Sequence, residues 1–117
     1  MKSKAYLIEP LQTNFDLTEL HQQYDVRYIF ASVGQRPNIY NPDEFLRVVR
    51  EWARGHFDPS KDMLVMTGKM LSLSLTLLAL GWEFDEIQLL IFDGNSGGYL
   101  RKEIHCLTHG GVLSHGK

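Results

Sequence analysis

Between Asp62 and Asp93 the chain sets two short apolar runs, Met63-Leu64-Val65-Met66 and Ile87-Gln88-Leu89-Leu90-Ile91-Phe92, on either side of an uncharged segment, Met70 to Leu80. Apolar runs of this length, without polar alternation, belong to strands covered on both faces, so the chain must build a sheet with other elements packed over it. The middle segment reads two ways. Leu71, Leu73, Leu75 and Leu77 alternate with Ser72, Ser74 and Thr76, which is a strand pattern. Leucine favours helix, however, the segment is long for a strand, and Gly81 stands where a helix cap belongs. Helix is the preferred reading. Ser72, Thr76 and Ala79 then form a strip of small residues suited to close packing on a sheet or a partner subunit. Thr67-Gly68-Lys69 makes the strand-to-helix turn.

The remaining elements follow from local signals. Lys4 to Glu9 reads as a strand stopped by Pro10, and Asp16-Leu17-Thr18-Glu19 opens a short helix to about Tyr24. Val26 to Ala31 is β-branched and aromatic, a strand by composition. After a polar connection, Asn41-Pro42-Asp43-Glu44 announces a helix, with Asn as cap and Pro in the first turn. Its apolar stripe is Phe45, Val48, Val49 and Trp52, and Gly55 is read as its stop. Tyr99 to Ile104 is expected to return as an edge strand guarded by Arg101, Lys102 and Glu103; a helix from Tyr99 to His109 is the competing reading.

The resulting order implies an α/β domain: a small Rossmann-like three-layer sandwich whose mostly parallel sheet ends in a C-terminal β-hairpin. Residues 1–108 are read as one domain and residues 109–117 as a flexible tail. With 117 residues, 44% of them hydrophobic and 22% charged, the chain can bury one core. A net charge of −2 gives no long-range attraction to nucleic acid or anionic membrane. One cysteine, Cys106, forms no internal disulfide, and the longest apolar stretch falls short of the roughly 20 residues of a membrane span. A cytoplasmic setting without membrane association is expected.

Parallel α/β sheets place ligands beyond the carboxyl ends of their strands. Those ends carry Ser32, Gln35 and Arg36; Thr67, Gly68 and Lys69; and Asp93, Asn95 and Ser96. The candidate anion or nucleotide rim is therefore Arg36, Thr67, Gly68, Lys69, Asp93, Asn95 and Ser96. A glycine turn at a helix start exposes N–H groups suited to a phosphate or carboxylate. The turn is no P-loop, since Met63 and Met70 stand where that motif needs Gly and Ser or Thr. Gly94-Asn95-Ser96-Gly97-Gly98 matches G-x-S-x-G in letters, but the following helix and a supported histidine are missing from the pattern. Read as a calcium loop from Asp93, it puts Ile104 where a bidentate glutamate is required. His105, Cys106, His109 and His115 complete no metal motif. No catalytic residue, metal or cofactor is expected. Arg47, Arg50 and Arg54 share a helical face on which Glu44 and Glu51 intrude, and Trp82 could anchor a partner. These four are candidates for partner contact, with nucleic acid the less expected partner.

The segments Leu64-Val65-Met66-Thr67-Gly68 and Leu89-Leu90-Ile91-Phe92-Asp93, with the helix between them and Tyr99 beyond, resemble small uncharacterised proteins encoded by bacteriophages. The resemblance spans about Asp62 to Ile104. It implies a host-cell cytoplasmic setting and carries over no functional residue. The expectation is a small binding protein acting on a protein partner, with a homodimer as one form. The alternative is a nucleotide- or phosphate-ligand protein or enzyme using the rim.

Overall fold

The two apolar runs become neighbouring strands at the middle of a five-stranded sheet. A computed structural model describes residues 2–10, 17–34 and 36–106. Its strands are β1 (Lys4–Leu7), β2 (Asp25–Tyr28), β3 (Met63–Val65), β4 (Glu86–Asp93) and β5 (Gly98–His105), in the order β2-β1-β3-β4-β5. Neighbours are parallel from β2 through β4, while β5 folds back antiparallel on β4. All three residues of β3 are buried, as its uninterrupted apolar sequence requires.

Alternation along the strands divides the core in two. Tyr6, Ile8, Leu64, Ile87 and Leu89 face α3 (Pro42–His56) and α4 (Met70–Glu83), packing with Phe45, Val49, Trp52, Leu75 and Leu80. Ile29 and Phe30 of α2 (Ile29–Val33) join this cluster. Ala5, Leu7, Met63, Val65 and Leu90 form the second cluster, with Leu20 of α1 (Thr18–Gln23). The first side is the larger core. There Phe45 is fully buried with its ring 6.0 Å from that of Phe30, so trimming it to alanine would cost about 3–5 kcal/mol.

The α3 start forms as its sequence dictates: Asn41 Oδ1 accepts from Glu44 N at 3.4 Å, with Pro42 in the first turn. Three local expectations are corrected. The strand expected over Val26–Ala31 ends at Tyr28. Phe30 N turns back to donate to Ile8 O at 3.0 Å, and a helical turn drops Ile29 and Phe30 into the core below α3. Gly55 and Gly81 stop neither helix. The helices continue to His56 and Glu83, where Phe57 and Phe84 take extended backbone and pack their rings 5.7 Å apart. Met70 to Leu80 is helical, and Tyr99 to Ile104 is strand. Asp16, Gln35 and the tail expected after Thr108 lie outside the described residues.

Candidate functional site

Helix α4 carries no charged residue between Met70 and Trp82. Ser72, Leu75, Thr76, Ala79 and Leu80 are buried on its inner side. Its outer side is also apolar, yet it faces outward: Leu71 is 45% exposed, Leu78 63% and Trp82 47%. These three recur at helical spacing and form one stripe. Beside the stripe an open groove of about 510 Å³ is lined by Ser74, Leu77, Leu78, Gly81, Trp82 and Cys106. Gly81 lies against Cys106, where a Cβ would stand in ordinary contact with Sγ at 3.6 Å. Burial pushes the Cys106 thiol above its ordinary value, and the Asp85 carboxylate adds to this, so the thiol is protonated at neutral pH. The groove is apolar and uncharged.

The arginines of α3 lie next to this groove with carboxylate partners. Arg50 Nε donates to Glu83 Oε2 at 2.7 Å, and Arg54 reaches the same oxygen at 3.4 Å. Arg47 pairs with Glu51 at 3.2 Å and stands 4.0 Å from Glu44. The Arg50 guanidinium also lies 5.2 Å from the Trp82 ring centre and supports it from one side. The four partner-contact candidates therefore separate. Arg50 and Trp82 touch, whereas Arg47 and Arg54 are more than half exposed and locally neutralised.

At the carboxyl ends of the strands, Arg36 and Lys69 share an open depression of about 410 Å³ with Pro37, Asn38, Ile39 and Tyr40. Glu9 follows β1 and Thr67 follows β3, the neighbours whose chain continuations leave in opposite directions, as ligand-binding crevices of α/β sheets require. Arg36 reaches Glu9 at 3.3 Å. Gly68 has φ +119°, a conformation that favours glycine, and Lys69 caps α4 without a side-chain hydrogen bond. Thr67, Gly68, Asp93, Asn95 and Ser96 do not line the depression. Asp93, Asn95 and Ser96 instead build the β4–β5 turn: Asp93 Oδ1 accepts from Asn95 N at 3.1 Å, and Ser96 Oγ accepts from Gly98 N at 3.4 Å.

The far end of the sheet holds a buried acid. Asp62 accepts from Asp58 N at 2.8 Å, yet burial raises its pKa above the ordinary carboxylate value. Burial, with the Asp62 charge second, also raises the Tyr6 phenol. Sequence spacing gave no sign of one further group. The β4–β5 ladder aligns Glu86 with His105, whose Nδ1 and Oε2 atoms are 3.0 Å apart, and sets Glu103 beside them. All three are exposed.

No protein-family model matches this chain, and no curated protein or solved structure matches it.

Proposed function

We propose that the chain is a protein-binding domain that receives its partner on the outer side of α4. One observation carries this reading: α4 has no charged residue from Met70 to Trp82 and its outward side is apolar apart from Ser74, yet Leu71, Leu78 and Trp82 remain at the surface beside a neutral groove. A helix apolar on every side is normally covered on every side. Trp82, held by Arg50, is the kind of aromatic anchor that dominates binding energy at interfaces. In this reading the domain is a Rossmann-like three-layer sandwich working in the cytoplasm. The phage resemblance fits a protein that modulates a host factor. Affinity capture from the cells that make the protein tests the proposal. Leu78→Glu should lose a partner that both the native chain and Arg47→Glu retain; equal capture by Leu78→Glu and the native chain would overturn it.

A second reading is favoured by the approach of Arg36 and Lys69 in one depression: a small phosphate-bearing ligand bound between them. Titration with inorganic phosphate and nucleotides, followed by amide shifts of Asn38 to Tyr40, distinguishes this reading. Shifts abolished by Lys69→Ala would support it, and an unchanged spectrum would end it.

A further inference from the structure

Strand β5 ends the sheet: β4 pairs with one side of it, and no described strand pairs with the other. Cys106 N donates to Asp85 O at 2.6 Å, so the bonded pairs of the hairpin are Ile87–Ile104, Leu89–Lys102 and Ile91–Leu100. Met66 N donates to Leu90 O at 2.9 Å, which turns Leu90 toward β3 and agrees with that phase. The backbone N–H and C=O groups of Arg101, Glu103 and His105 therefore point away from β4, to the side on which no described strand lies, where another strand could pair.

We infer that this edge pairs with β5 of a second copy, antiparallel, about a two-fold axis passing through Lys102. Such an axis, perpendicular to the sheet, sets odd-numbered residues opposite odd-numbered ones and keeps both sheets facing the same way. Centring on Lys102 uses the outward backbone groups of Arg101 and Glu103 in both copies. It places Arg101 opposite Glu103 of the second copy, and the symmetry repeats that pair. Moving the centre to Arg101 or to Glu103 breaks both Arg101–Glu103 pairs and sets that residue against its own mate. In the single chain Arg101 Nε donates to Gln88 Oε1 of β4 at 2.6 Å, so its guanidinium must turn from β4 toward the edge to meet Glu103 of the second copy. On the opposite face, the exposed Leu100 comes to stand against Ile104 of the second copy, beside the α4 groove. The guard expected of these charges is thereby reduced to Lys102, which faces its own symmetry mate and whose flexible stem must carry the charge outward. The inference stands on the backbone and charges of β5, not on a partner bound at α4, so either can fail alone.

Sedimentation of the full chain at about 0.5 mM tests it. A dimer is expected. Arg101→Glu and Glu103→Arg should each weaken it about tenfold or more, and the two together should restore it to within about threefold. Lys102→Thr should tighten it. In a Cys106→Ser background, Lys102→Cys should form a symmetric disulfide, because directly opposed positions of this class lie about 4.5 Å apart at Cα. A monomer at that concentration overturns the inference. So does failure of the double swap to recover the dimer, or a dimer dissolved by Leu78→Glu and indifferent to both charge swaps.

Discussion

The Arg50 guanidinium carbon lies 5.2 Å from the centre of the Trp82 ring. Glu83, only 11% exposed, fixes that relationship by accepting from Arg50 at 2.7 Å and from Arg54 at 3.4 Å. One carboxylate thus joins the end of α4 to α3 and props the aromatic edge of the groove. Glu83→Gln should cost about 1–2 kcal/mol, because charge-assisted bonds to a mostly buried acceptor are lost, whereas Arg54→Ala should cost less than about 1 kcal/mol. Urea denaturation at low salt measures both.

Ser72 and Thr76 lie fully buried on the inner side of α4, and neither hydroxyl has a hydrogen-bond partner among the described residues. Their shape is needed there; their polarity is not. Ser72→Ala and Thr76→Val should each stabilise the fold by about 1 kcal/mol, seen as a higher urea midpoint with an unchanged slope.

Asp62 has an inverted acid response. Its folded pKa is raised above the ordinary carboxylate value, with burial the first cause, so folding favours the protonated form. The penalty for ionising it is absent below the unfolded value and develops as pH rises through the raised folded value. Asp62→Asn keeps an oxygen for Asp58 N while removing the charge. The variant should be the more stable protein at neutral pH and lose that advantage on acidification below the unfolded value. Denaturation midpoints across the acid range measure this, and a constant difference between the two proteins would contradict it.

The sequence patterns were legible where one local signal decided the outcome. The apolar runs placed β3 and β4, and Asn41-Pro42 placed the start of α3. Ile29-Phe30 misled because buried strands and buried helical turns use the same residues; only the bond from Phe30 N to Ile8 O separates them. Gly55 and Gly81 misled because helix ends here are set by Phe57 and Phe84 entering the core, a tertiary cause. The exposed stripe on α4 was hidden by its own uniformity. When every face of a helix is apolar, periodicity does not say which face the sheet takes. Likewise Glu86 meets His105 through the hairpin register, which spacing alone does not show.

The central claim is that the outer side of α4 is a covered surface in the cell. Site-specific photo-crosslinking tests it most directly, with a photoreactive side chain at position 78 and a control at Lys61 on the far end of the sheet. One dominant covalent adduct is expected from position 78, absent from position 61 and lost when Trp82 is changed to alanine. No adduct from position 78, or the same adducts from both positions, would contradict it.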